Sequence, residues 1–319
     1  MDRETTVLVM YSNLAVTPRH RESLQRIAAP KEVTVADLED QAVELAPSAE
    51  VFLGHRYFRQ CLPHAPALRW VQSTAAGVDA LVTPGLLERD VAVSRCPIFA
   101  GNVARHALAM SLALQRRLPD NARSLPSASF PPTPERAVVL GTGAIGTALA
   151  GLLTALGIRV TGIARRPHPE LVPPFDAVLV GAGWRHALED ADLCFLTLPN
   201  TRETRGLFDV AAVDALPDHA VLVNVGREQT LDDVGAIQRL REGRLGGMGL
   251  DVISEKARGI AATDDMPGLL VTPKTATFAA GRDEQLRHFV EQQLQLYCAG
   301  REPAHVLPRE TLAQMVPGT

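Results

Sequence analysis

Ala137-Val138-Val139-Leu140-Gly141-Thr142-Gly143-Ala144-Ile145-Gly146 is the stretch on which the fold turns. A short apolar run enters three glycines spaced G-x-G-x-x-G, and the small-residue segment Ile145 to Leu156 behind them has helical character. Glycines so placed let the chain turn tightly, let its backbone approach a pyrophosphate, and let helix and strand pack closely. The helix N-terminus adds a favourable field for negative charge. A lone motif of this kind is compatible with a chance loop. Here the strand before it, the helix after it and a second strand, Ile158 to Ile163, are all present, so Gly141, Gly143, Ala144, Ile145 and Gly146 are assigned to a dinucleotide.

The second strand ends in Ala164-Arg165-Arg166, at the spacing where an acidic residue would hold the ribose hydroxyls of NAD. No carboxylate stands there. Two guanidinium groups suit a 2′-phosphate through charge-assisted, bidentate hydrogen bonds, so Arg165 and Arg166 favour NADP(H) over NAD(H). The competing reading makes them solvated loop charges.

Outward from this stretch, short apolar runs alternate with helical segments, the pattern of parallel strands joined by crossover helices. The first set is Val7 to Met10, Val33 to Val35, Val51 to Leu53, Leu68 to Val71 and Val91 to Val93. A helical pattern from Asn102 to about Arg117 follows, then Leu118 to Pro134, which is rich in Pro and Ser and reads as a linker. The second set is Ala137 to Leu140, Ile158 to Ile163, Ala177 to Val180, Leu193 to Leu198, Ala220 to Val225, Gly247 to Val252 and Leu269 to Thr272. Asp232 to Arg241 and Arg282 to Cys298 read as helices.

The 319 residues are 46% hydrophobic and 21% charged, enough apolar material for a large buried core, which argues against disorder. A formal net charge of -4 gives no electrostatic reason to expect nucleic acid or an anionic membrane and leaves a small molecule as the expected partner. No segment approaches the ~20 apolar residues of a membrane span, and the reading is a cytoplasmic protein. Cys61, Cys96, Cys194 and Cys298 lie far apart, so neither a disulfide nor a metal site is implied.

Further motifs fall in a definite order. They are Leu68-Arg69-Trp70-Val71-Gln72-Ser73-Thr74-Ala75-Ala76-Gly77-Val78-Asp79, Asn102-Val103-Ala104, the glycine motif, and Leu198-Pro199-Asn200-Thr201-Arg202-Glu203-Thr204. Leu222-Val223-Asn224-Val225-Gly226-Arg227, Gly249-Leu250-Asp251-Val252 and Val271-Thr272-Pro273 complete the series. In these the chain resembles, over nearly its whole length, the D-isomer-specific 2-hydroxyacid dehydrogenases, which include glyoxylate/hydroxypyruvate reductases. The resemblance implies an α/β protein of two domains, a Rossmann-type nucleotide-binding domain (101–282) inserted in a flavodoxin-like substrate domain (1–100 plus 283–319). It also implies a homodimer, with the active site in the cleft between the domains. By the same resemblance the amides of Ala75, Ala76 and Gly77 hold a substrate carboxylate, Arg227 binds that carboxylate and polarises the keto oxygen, Asp251 lies near the nicotinamide carboxamide, and Pro199 lies along the cofactor. Independently of it, Arg227 follows an apolar strand and should project from the carboxyl edge of the sheet, where a permanent cation can stabilise a developing alkoxide.

The pattern breaks at its acid. The family's proton-donating histidine follows the proline of the last strand, but here Pro273 is followed by Lys274. The family's partner glutamate is replaced by Lys256, with Glu255 beside it, and Glu228 stands where a glycine is usual. An ammonium needs no carboxylate to fix a tautomer, so the two losses are coherent with Lys274 as the new proton donor. That role calls for burial beside Arg227 to bring its pKa down from about 10.4. Glu255 reaches the site only if its loop shifts by one residue. Arg56, after the strand Val51 to Leu53, is a candidate for a second substrate anion, and His106 on the long helix reads as packed or hydrogen-bonded. The expected activity is NAD(P)H-dependent reduction of a small 2-keto acid or a related carbonyl or imine. The alternative is a catalytically altered NADP-binding regulatory or partner-binding protein.

Overall fold

The apolar runs of the first hundred residues form five parallel strands, β1 (Thr6–Val9), β2 (Val33–Val35), β3 (Ala49–Leu53), β4 (Trp70–Gln72) and β5 (Ala92–Ser94), in the order β2-β1-β3-β4-β5. The computed structural model describes residues 5–123, 130–166, 173–263 and 266–315. It divides into two compact units, Met1–Ile98 with Ala279–Thr319, and Phe99–Phe278.

In the first unit the strand order reverses between β1 and β3. Gly54 makes the turn after β3 with φ +92, and a Cβ there would lie 2.5 Å from the Met10 carbonyl oxygen, so no other residue fits. Helix α1 (Pro18–Ala28) begins at a Thr17 cap whose hydroxyl accepts from the His20 amide.

The second unit opens with helix α2 (Ala100–Gln115) and holds seven parallel strands: β6 (Arg136–Leu140), β7 (Arg159–Ala164), β8 (Ala177–Val180), β9 (Leu193–Leu196), β10 (Val221–Asn224), β11 (Gly247–Leu250) and β12 (Leu269–Val271). Their order is β12-β11-β10-β9-β6-β7-β8, again reversing next to the first strand, at β9/β6. Both faces are covered. Val138 belongs to one buried cluster with Cys194, Leu222 and Met248, while its neighbour Val139 belongs to another with Ala104, Leu114 and Val223. Successive side chains point to opposite faces, which is why these strands read as continuous apolar runs rather than alternating ones. Crossovers include α3 (Ala144–Ala155), α4 (Asp233–Arg241) and α5 (Glu255–Thr263).

Two expectations are corrected. The segment Leu118 to Pro134 is not loop throughout, since Leu118–Ala122 is a helical turn whose buried Asp120 accepts the Gly268 amide at 2.9 Å; residues 124–129 lie outside the described residues. Glu255 does not sit in a loop but opens α5. Three thiols, Cys61, Cys96 and Cys194, are buried, and burial pushes the first two up to about 11. Cys298 is exposed. Among the described residues no helix is long and apolar enough to cross a membrane.

The returning helix α6 (Arg282–Cys298) is anchored in the first unit by chemistry at its middle and at its carboxyl end. At mid-helix His20 bonds Glu291 at 2.6 Å and the Tyr11 hydroxyl at 3.1 Å. At the carboxyl end Tyr297 stacks on Trp70 with centroids 4.9 Å apart and donates to Glu50 at 2.7 Å. Glu50 also accepts from Thr5 (2.6 Å) and Lys31 (2.8 Å). Burial alone would raise the Glu50 pKa, but these three donors outweigh it and hold the carboxyl below its ordinary value. The stabilisation is therefore fully present above the unfolded pKa of about 4.3 and fades as pH falls through the lower folded value. Glu50→Gln is expected to lower the unfolding free energy by about 1–3 kcal/mol at pH 7, with the gap from wild type closing below about pH 4, as read by urea unfolding at a series of pH values.

Candidate functional site

The carboxyl ends of the second sheet collect most of the residues singled out in the sequence. At the reversal between β6 and β9, Leu140 pairs with Leu196. Beyond it Gly141 turns at φ +105, and the Thr197 hydroxyl bridges the gap, within 3.0 Å of both the Leu140 and Gly141 carbonyl oxygens. A Cβ at Gly141 would stand 2.6 Å from that hydroxyl, and one at Gly146 would collide with the Gly141 carbonyl. Helix α3, starting at Ala144 and Ile145, is thereby drawn tight against its strand.

Gly143 is different. A Cβ there would meet nothing within 4 Å, and its φ of -77 suits any residue. The fold does not require a glycine here, and the space in front of its backbone is open. Beside it, the loop at Pro199 is closed by Thr204, whose hydroxyl lies 2.5 Å from the Pro199 carbonyl oxygen, and the buried Oδ1 of Asn200 has no hydrogen-bond partner among the described residues. An open backbone cradle at a helix N-terminus, with an orphaned acceptor nearby, fits a dinucleotide. Arg165 and Arg166 follow β7 as exposed side chains, and Arg165 lies 3.4 Å from Glu203.

Three adjacent strands carry the remaining groups. Asn224 pairs with Leu250 and Leu250 with Val271, so Arg227, Asp251 and Lys274 all leave the same edge of β10, β11 and β12. With neighbouring strands about 4.8 Å apart, the backbones of the outer two are separated by roughly 10 Å, within reach of two long side chains. The half-buried Arg227 is set by its own carbonyl, which accepts from the Asn224 side chain (3.2 Å) and the Thr230 hydroxyl (2.7 Å). Glu228 accepts from Gln229 at 3.2 Å.

Asp251 is buried, and its carboxylate accepts from the Thr272 hydroxyl (2.7 Å), the Thr275 amide (2.9 Å) and the Ala276 amide (3.3 Å). Its carbonyl accepts from the Lys274 amide (3.0 Å). Lys274 itself has φ +57, a left-handed conformation unusual for a residue with a Cβ. Its side chain is exposed, so the burial expected around its amine is not found. His106, read from the sequence only as packed or bonded, joins this group with Nε2 3.0 Å from Thr272 Oγ1 and 3.5 Å from Asp251 Oδ1. The pairing links residues 166 positions apart, and nothing in the local sequence signals it.

Glu255 stays out of this group. Ser254 caps α5 by accepting the Ala257 amide at 3.2 Å, and Asp233 holds the Ser254 amide (2.7 Å) and hydroxyl (2.8 Å). A one-residue slip would break all three bonds, and Glu255 remains exposed on the first helical turn.

In the first unit, the segment after β4 is ordered by Ser73, whose hydroxyl accepts the Ala75 amide at 3.0 Å. Of the three amides expected to hold a carboxylate, Ala75 is thus already engaged. Those of Ala76 and Gly77 donate to no acceptor among the described residues. The buried Thr74 Oγ1 is likewise without a partner. His55 lies 3.4 Å from the Ser73 hydroxyl, and burial lowers its pKa. Arg56 is exposed, its guanidinium 5.1 Å from the Tyr57 ring centroid.

Fold and site together define a dinucleotide-binding protein built of two parallel α/β units. Residues 108–276 match the family model of the D-isomer specific 2-hydroxyacid dehydrogenase, NAD binding domain, and the chain belongs to that family, one of NAD(P)-dependent oxidoreductases acting on CH–OH groups. It is 28% identical over 207 residues to a glyoxylate/hydroxypyruvate reductase A of Arabidopsis thaliana, a match covering 62% of this chain and 64% of that protein's length. It is 24% identical over 285 residues to a glyoxylate reductase of Pyrococcus horikoshii, covering 83% and 84%. The fold is shared, at TM-score 0.74 and 25% identity over 96% of this chain and 99% of the other, with a D-isomer specific 2-hydroxyacid dehydrogenase family protein from Aeromonas salmonicida.

The two glycines make opposite predictions. Gly143→Ala is expected to leave the thermal midpoint unchanged while weakening NADPH binding tenfold or more, about 1.4 kcal/mol, by fluorescence titration. Gly146→Ala is expected to lose about 3 kcal/mol or more of stability, because backbone must move to admit the methyl group.

Proposed function

We propose that the protein reduces a small 2-keto acid to the D-2-hydroxy acid, taking NADPH in preference to NADH. The observation that carries the reading is the strand register that brings Arg227, Asp251 and Lys274 to one sheet edge. The names of the curated relatives, glyoxylate/hydroxypyruvate reductase and glyoxylate reductase, support the substrate class.

The nicotinamide, when bound, supplies the hydride. The residues do the rest. The free amides of Ala76 and Gly77 take the substrate carboxylate; Ala75, whose amide is engaged, shapes the turn that presents them. The Arg227 guanidinium polarises the keto oxygen and is permanently charged, so it costs no proton bookkeeping as the alkoxide forms. The Lys274 side chain is exposed, so bound cofactor and substrate must supply the burial its role requires; as the carbonyl carbon gains the hydride, the oxygen gains a proton from Lys274 Nζ, and the amine is reprotonated from water. Asp251 holds the turn that carries Lys274, and Arg56 offers a cation to a second anionic group of the substrate. Glu255 has no part in the chemistry. Arg165 and Arg166 hold the 2′-phosphate, and the active species is a homodimer.

NADPH oxidation with glyoxylate, hydroxypyruvate and longer 2-keto acids tests the reading. Lys274→Ala is expected to lower kcat about 10²–10⁴-fold and Arg227→Gln to lower kcat/KM about 10²–10³-fold. Equal turnover of Lys274→Ala and wild type removes the lysine from the mechanism, and tight NADPH binding without turnover of any keto acid points to a binding protein instead. The double variant Arg165→Ala, Arg166→Ala is expected to weaken NADPH by about 2–4 kcal/mol while leaving NADH within a few-fold, since each lost charge-assisted bond is worth about 1.5–3 kcal/mol less screening at the surface. An unchanged NADPH/NADH ratio rules out their contact with the phosphate.

A further inference from the structure

We infer that His106 is a positioning residue for Lys274, acting through Thr272 and Asp251; the inference rests on the proposed role of Lys274. The left-handed backbone at Lys274 is unfavourable for a residue with a side chain and persists only where its surroundings over-determine it. Those surroundings are the Lys274 amide on the Asp251 carbonyl and the Thr275 and Ala276 amides on the Asp251 carboxylate. The turn is therefore only as well placed as that carboxylate.

The carboxylate is also held by a hydroxyl at the base of the same turn. The Thr272 hydroxyl has one proton, and the 2.7 Å contact commits it to Asp251 Oδ1, since a charged acceptor outcompetes the Met110 sulfur 4.0 Å away. Thr272 Oγ1 is left as an acceptor for His106 at 3.0 Å, which requires the proton on Nε2. The same N–H lies 3.5 Å from Asp251 Oδ1. The chain of donors runs from His106 through Thr272 to Asp251 and on to the Lys274 turn.

Its origin is rigid. His106 lies between the buried Ala104 and Ala107 on α2, whose inner face also buries Met110 and Leu114 in the core under β6 and β10. Helix α2 thus gives the edge strand β12 a fixed reference that its own three residues do not provide. A packing role alone would be met by any side chain of similar size; the geometry calls for a donor.

Amide exchange of Lys274, Thr275 and Ala276, read by NMR on the full chain with NADPH bound, tests this together with steady-state kinetics. His106→Leu is expected to speed exchange at the three amides tenfold or more and to lower kcat tenfold or more, with the Kd for NADPH within twofold of wild type. His106→Gln, which restores a side-chain N–H, should return both toward wild type. Thr272→Val, which removes the bridging hydroxyl at nearly constant volume, should mimic His106→Leu while leaving His106 in place, so the inference stays testable if the leucine variant fails to fold. Unchanged exchange at the three amides in His106→Leu or in Thr272→Val overturns it, whatever happens to turnover. Altered exchange in a protein that never turns over a keto acid supports the positioning chain and counts against the proposed reaction alone.

Discussion

The buried carboxylate of Asp251 is the tie on which the site edge depends. It stands at the end of β11, between the strand that delivers Arg227 and the strand that delivers Lys274, and it accepts one hydroxyl and two amides of the β12 turn. A buried carboxylate must find donors or be expelled toward water. Here those donors belong to the turn whose conformation is least favourable, so one group satisfies the other. The resemblance assigns Asp251 to the nicotinamide end of the site; the structure adds a second duty, holding the turn that carries Lys274.

A second constraint operates at the β6/β9 reversal. Parallel strands on either side of a reversal send their following loops in opposite directions and leave a crevice. Thr197 spans that crevice with one hydroxyl, and Gly146 lets α3 press on the Gly141 carbonyl. These are demands of the fold. Gly143 answers none of them, which leaves its backbone open at the start of α3.

Most of the fold was legible in the sequence because both faces of each sheet are buried, which turns strands into plain apolar runs. Val33 to Val35 and Ala177 to Val180 have the expected bounds, while Leu193 to Leu198 ends two residues early, at Leu196, beyond which the Thr197 amide still donates to Leu140 and its hydroxyl spans the crevice. Helix α5 was missed because its start is decided by Asp233 holding Ser254, a tertiary contact with no periodic trace. The same reason hid the short helix at Leu118–Ala122, whose Asp120 is satisfied by distant Gly268. The candidate site residues were read from motif order, whereas the groups that hold them in place were not. Ser73 engaging Ala75, and His106 meeting Thr272, are relations between side chains and the backbone turns around them, and spacing alone does not encode them.

The central claim is that hydride and proton are added across a keto group held at this edge. It is tested most directly by incubating the protein with NADPH carrying deuterium at C4 of the nicotinamide and a 2-keto acid, then analysing the product by mass spectrometry and chiral chromatography. Expected is a D-2-hydroxy acid bearing one deuterium at C2. A keto acid recovered unlabelled and unreduced from protein saturated with the cofactor would contradict it.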